Sequence, residues 1–148
     1  MININGIAHV MLNVTRWGEC CDFYCSLLPF LGMKKVFEGE ETIYFVGGRT
    51  GIGINKVENN DEMFDQKKVG LHHLCFRARK IEDVDSLFKF LQDNGDKIIH
   101  PPKKGAWAPG YYSMLFEDPI GTRLEVNYVP GEGVLAEDAR FNPAGDYR

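Results

Sequence analysis

Ile7-Ala8-His9-Val10-Met11-Leu12-Asn13-Val14 reads as a β-strand with two unlike faces, and the chain repeats this kind of pattern twice more. Successive strand side chains point to opposite sides, so Ala8, Val10, Leu12 and Val14 share an apolar face while His9 and Asn13 stand on the other. The same period over Leu71-His72-His73-Leu74-Cys75-Phe76-Arg77-Ala78 sets His72, Leu74, Phe76 and Ala78 against His73, Cys75 and Arg77. Over Arg123-Leu124-Glu125-Val126-Asn127-Tyr128-Val129 it sets Leu124, Val126 and Tyr128 against Arg123, Glu125 and Asn127. Each strand offers one face to pack under helices and another that carries a potential metal ligand. His9, His73 and Glu125 are therefore expected to meet in one cup, and His72 to take a hydrogen-bonded packing role on the helix side.

Working outward, residues 15–31 have a helical period: Phe23, Leu27 and Phe30 follow one stripe, with Tyr24, Leu28 and Leu31 beside it. Thr15 is the expected N-cap, and Pro29 should end the regular helix near Leu28. Strands are expected over 33–37, 42–46 and 51–57, then a polar connection over 58–68. From Val69 the order repeats: the His73 strand, a helix over 82–94 closed by Gly95, a short strand over 97–100, a loop over 101–110, a strand over 111–116, an Asp118-Pro119-Ile120-Gly121 turn and the Glu125 strand. The reading is an α+β fold of two βαβββ modules, 6–57 and 69–130, in one domain over 1–130. An irregular tail over 131–148 follows, with Phe141 and Tyr147 as its anchors. Matching His9 to His73, Gly32 to Gly95 and Val57 to Val129 puts Glu125 opposite Gly53, so the first module offers no carboxylate there.

At 148 residues and 44% hydrophobic content the chain is one globular domain's worth of sequence. The net charge of −4, with acids and bases interspersed, gives no basic stripe and argues against nucleic acid. No apolar run approaches the roughly 18 residues a membrane helix needs, so no membrane is expected and the cytoplasm is the expected compartment. Cys20, Cys21, Cys25 and Cys75 show no disulfide-scaffold spacing and read as reduced thiols.

His9 in a strand, Gly70-Leu71-His72-His73 opening the second half, and Phe116-Glu117-Asp118-Pro119-Ile120-Gly121 leading to Leu124-Glu125 together resemble the vicinal oxygen chelate superfamily over roughly residues 6–130. That family includes glyoxalase I, methylmalonyl-CoA epimerase, fosfomycin-resistance thiol transferases, extradiol dioxygenases and bleomycin-binding proteins. The resemblance implies an open curved mixed sheet around a metal cup, often within a homodimer. Its first-strand histidine falls on His9, its fifth-strand histidine on His73 and its last-strand glutamate on Glu125. Glyoxalase I enzymes add a fourth ligand from the fourth strand; here Gly53 stands in that place, closer to the three-ligand members.

Two imidazoles and one carboxylate leave positions on one divalent ion, Zn, Mn, Fe, Co or Ni, for a small-molecule substrate offering adjacent oxygens. Arg77, Asn127 and Asn13 share the expected cup face, and Trp107, Tyr111, Tyr112 and Met114 are candidate pocket walls. The expected function is a glyoxalase- or epimerase-like lyase or isomerase. An Fe(II) dioxygenase, a thiol transferase and a non-catalytic drug-binding protein are the alternatives. The alternation leaves open whether Tyr111, Ser113 and Leu115 or Tyr112, Met114 and Phe116 face inward.

Overall fold

The computed structural model describes residues 1–4, 6–58 and 62–137, so Phe141 and Tyr147 lie outside the described residues. The chain divides into two compact units, Met1–Phe64 and Asp65–Arg148.

The first unit runs β1 (His9–Val14), α1 (Trp17–Phe30), β2 (Lys34–Glu38), β3 (Thr42–Gly47) and β4 (Thr50–Lys56). Its sheet has the order β1-β4-β3-β2, with β1 parallel to β4 and the other pairs antiparallel. The period-2 pattern is what buries it: Leu12, Val14, Ile43, Phe45, Ile52 and Ile54 are all below a tenth exposed, as are Cys20, Phe23, Tyr24, Leu27 and Leu28 on α1. The helix start differs from the expected one. Thr15 does not cap it, because its hydroxyl donates to the Glu62 carbonyl at 2.7 Å. Arg16 is the cap residue, in the left-handed region at φ 47°, and its guanidinium clasps Glu19 in the first turn at 2.9 and 2.5 Å. Pro29 is accommodated in the last turn, so α1 reaches Phe30 rather than stopping at Leu28.

The second unit repeats the order with β5 (Leu74–Arg77), α2 (Ile81–Asn94), β6 (Lys97–Lys104), β7 (Tyr112–Glu117) and β8 (Arg123–Tyr128), in the sheet order β5-β8-β7-β6. The chain is thus α+β with two four-stranded mixed sheets of the same topology. β6 is longer than expected and runs through Pro101 and Pro102. It is the edge strand, where a missing N–H need not break a ladder, and its register against β7 shifts on either side of His100. The Asp118 turn forms as expected: buried Asp118 Oδ1 accepts the N–H groups of Ile120 at 3.0 Å and Thr122 at 2.7 Å, while Gly121 takes φ 86°. Val84, Leu87 and Leu91 of α2 are buried, as are Met114, Phe116, Leu124 and Val126 of the sheet. A 3-10 turn, Gly133–Leu135, follows β8.

Strand pairing supplies an internal check on the repeat. Met11 pairs with Gly53 in the first sheet, and Cys75 pairs with Glu125 in the second. Gly53 and Glu125 therefore hold equivalent places, as the alignment of the halves requires.

Candidate metal and substrate site

In β8 the alternation that buries Leu124 and Val126 turns Glu125 to the opposite face, where it is still only 1% exposed. A buried carboxylate needs partners for both oxygens. Oε1 accepts the Tyr111 hydroxyl, and Oε2 lies 3.3 Å from His73 Nε2. Cross-strand partners share a face, and β7 sets Ser113 opposite Asn127 and Leu115 opposite Glu125. That resolves the question left by the alternation: Tyr111, Ser113 and Leu115 face the site. Tyr112 points the other way, donating to Asp85 Oδ1 on α2 at 2.7 Å.

His73 lies one residue before β5, so strand alternation does not govern the pair His72-His73. This corrects the packing role expected of His72. It is exposed, its ring meets that of His73 edge-on at 5.1 Å between centroids, and the two Nδ1 atoms are 2.8 Å apart. One of the two must carry a proton and the other must accept it. If Nε2 of His73 is to offer its lone pair to a metal, its proton must sit on Nδ1 and be donated to His72. His72 would then fix the tautomer and ring orientation of the ligand. Replacing His72 with Phe is expected to weaken divalent-metal affinity by about 10- to 100-fold, measured by calorimetric titration; unchanged affinity would remove that role.

His73, Cys75, Arg77, Glu125 and Asn127 line a cavity of about 800 Å³ in this unit, together with Trp107, Tyr111 and residues of the 3-10 turn. The second unit therefore brings together five residues singled out from the sequence: His73, Glu125, Arg77, Asn127 and Trp107. The Cys75 thiol opens to the cavity yet is densely surrounded by protein. Desolvation, then the Glu125 charge and a hydrogen bond with it, push its pKa well above the ordinary thiol value. The thiol is therefore neutral at physiological pH.

His9 and Asn13 belong to the first unit. The His9 ring meets Tyr44 edge-on, with centroids 6.5 Å apart, and Asn13 Oδ1 accepts from Asn55 Nδ2 at 3.5 Å. A Cβ added at Gly53 would lie 2.3 Å from Met11 Sδ, and one at Gly51 would lie 1.9 Å from the Tyr44 hydroxyl. The phenol and thioether thus occupy the space beside β4 where the first module has no carboxylate.

The donor chemistry suits a divalent ion. Two ligands on adjacent positions of an ion bonded at 2.0–2.2 Å stand about 3.0–3.5 Å apart, and the His73 to Glu125 separation of 3.3 Å falls in that range. Among the described residues, no group of three or more His, Cys, Asp or Glu side chains is assembled closely enough to hold a metal ion. The second unit contributes a pair.

Of the expected pocket walls, Trp107 and Tyr111 line the cavity, whereas Tyr112 and Met114 lie on the other face of β7, and Cys75 joins the lining without having been expected there. Cys75 was on the correct strand face but read only as a reduced thiol. The signal for Tyr111 lay in the register of β7 against β8, which local alternation cannot fix.

A family model described as Glyoxalase/Bleomycin resistance protein/Dioxygenase superfamily matches residues 6–126. Among solved structures, a candidate glyoxalase from Bacillus halodurans is 29% identical with TM-score 0.74, the match covering 84% of this chain and 96% of that one. A glyoxylase/bleomycin resistance protein/dioxygenase domain from Frankia sp. EAN1pec is 23% identical with TM-score 0.70, covering 85% and 98%. A lactoylglutathione lyase from Agrobacterium tumefaciens is 21% identical with TM-score 0.63, covering 84% and 94%. No match is found among curated proteins.

Proposed function

The chain belongs to the Glyoxalase/Bleomycin resistance protein/Dioxygenase superfamily, and on that premise we propose that it is a divalent-metal-dependent enzyme, a lyase or isomerase of glyoxalase or epimerase type, that holds a small substrate through two adjacent oxygens. The observation that carries this reading is the buried Glu125 carboxylate, turned to His73 Nε2 at 3.3 Å on the wall of a cavity large enough for a small organic molecule. The proposed metal ligands are His9, His73 and Glu125, for one ion of Zn, Mn, Fe, Co or Ni. Arg77, Asn127, Trp107 and Asn13 are the proposed substrate contacts. Such an ion supplies Lewis-acid chemistry, stabilising negative charge that develops on a substrate oxygen.

The chain's own residues do the rest. Tyr111 holds Glu125 in place through Oε1, leaving Oε2 toward His73. His72 sets the proton on His73. The neutral Cys75 thiol adds no second negative charge beside Glu125. The 29% identity to a candidate glyoxalase supports the glyoxalase-type reading over the others. Four cysteines that form no disulfide suit a reducing cytoplasm. Val36 and Phe37, both more than half exposed on the edge strand β2, suit a homodimer.

Elemental analysis after reconstitution tests the proposal. About one metal per chain is expected for the wild type, with a large loss in both His9→Ala and His73→Ala. No metal from any of the five ions would sink the enzyme reading. Retention in His9→Ala would remove His9 from the ligand set.

A further inference from the structure

The cavity wall carries information about what it binds. Arg77 is the one Lys or Arg among the described residues lining it, and no carboxylate pairs with its guanidinium among the described residues. Two acids share the wall. Glu125 is engaged by Tyr111 and His73, and Glu132 is exposed. Parallel pairing sets Cys75 beside Glu125 and Arg77 beside Asn127. The Arg77–Asn127 rung is thus one pleat repeat, about 6.6 Å, beyond the Glu125 rung.

A guanidinium next to a side-chain amide is a set of N–H donors whose fork matches the two oxygens of a carboxylate. A single cation neutralises a single charge. A dianion would leave one charge unmatched in a cavity that already contains Glu125, so the balance favours a monoanion. Apart from the His73–Glu125 end, with His72, Cys75 and Tyr111 about it, and the exposed Glu132, the rest of the wall is apolar. Trp107 and Val129 line the cavity, and Val134 and Leu135 also line it although they are 50% and 83% exposed. Large aliphatic side chains left open on a concave wall are the surface an apolar ligand body covers.

We propose that this cavity takes the monoanion of a small organic carboxylic acid, its carboxylate on Arg77 and Asn127 and its apolar body against Trp107, Val129, Val134 and Leu135. This rests on the reading of the cavity as the substrate site and not on the metal. The acid group is held at the Arg77 rung, so a second polar group on the same molecule can face His73 and Glu125.

The test uses the full chain stripped of metal with a chelator, carrying Trp17→Phe so that Trp107 is the remaining tryptophan. Trp107 fluorescence is followed on titration with 3-phenylpropanoate, its neutral amide 3-phenylpropanamide, and the dianion phenylsuccinate. The expected result is monoanion binding at least about tenfold tighter than the amide, a preference lost in Arg77→Gln, kept in Arg77→Lys and weakened by salt. Circular dichroism checks that each variant is folded. Equal binding of acid and amide, or a preference that survives Arg77→Gln, would overturn the role of Arg77. Tighter binding of the dianion would overturn the charge assignment, and no binding of any probe would overturn the acid site itself. Metal stoichiometry measured on the same proteins separates the two proposals. Acid binding without metal binding sinks only the metal reading; metal binding without acid binding sinks only this one.

Discussion

Glu125→Gln is expected to lower divalent-metal affinity at least about a hundredfold while leaving the fold intact, a loss beyond the upper range seen when groups that merely support a ligand are removed. The substitution keeps the shape of the side chain. Its amide oxygen can still accept the Tyr111 hydroxyl, and its NH₂ can donate to His73 Nε2 where Oε2 now stands at 3.3 Å. The buried site therefore keeps its hydrogen bonds, and the change in stability is small because no polar group is orphaned. A metal loses both the charge and the lone pair it would use. Glu125→Ala is the contrasting case. It removes the carboxylate that accepts the Tyr111 hydroxyl, on a residue only 8% exposed, at an additional cost to folding of about 1–3 kcal/mol. Metal titration with parallel urea denaturation checks both variants. If Glu125→Gln binds metal like the wild type, Glu125 is not a ligand.

The second large effect lies in the core. Phe116→Ala should destabilise the protein by about 3–5 kcal/mol, the range for deleting a buried aromatic side chain. Phe116 is fully buried on β7, paired across to Ile98 of β6 and Leu124 of β8, on the sheet face opposite Glu125. The hole would open directly behind the backbone that carries the candidate ligand, so a second effect on metal affinity is expected. Urea unfolding midpoints measure the first and metal titration the second. A cost under about 1 kcal/mol would mean that α2 closes over the vacancy, contrary to the close packing expected of such an interior.

How far the fold was legible depended on whether the deciding interactions were local. Alternation placed β1, β4 and β8 to within a residue or two, and the element order gave two four-stranded sheets of matching topology. The equivalence of Gly53 and Glu125 was readable because each strand has a strict period of two, and pairing bears it out. Alternation failed where the backbone was not strand. His72 was assigned a face, but β5 begins only at Leu74, and the two histidines instead share a hydrogen bond. The loop expected from Pro101 onward is strand as far as Lys104, because β6 lies at the sheet edge, a position that only the tertiary arrangement reveals. Tyr111 was similar: two adjacent tyrosines at a strand start are symmetric choices until β8 fixes the register. The gathering of Arg77, Asn127 and Trp107 around one cavity with His73 and Glu125 followed from the strand faces for the first two and from the loop before β7 for the third.

The packing beside β4 bears on how this protein could change over generations. Glycine and glutamate codons can differ by a single base, so a carboxylate at position 53 is genetically close. There the main obstacle is the thioether end of Met11, a flexible tail that can swing aside, while the Tyr44 ring stands at 3.0 Å. Position 51 is different. Any side chain there would run into the Tyr44 hydroxyl, at 1.9 Å from its first carbon, so Tyr44 would have to shrink or turn away beforehand. One glycine is open to direct substitution and the other only after an enabling change, which makes the order of mutations, as much as their number, decisive for gaining a new donor on this strand.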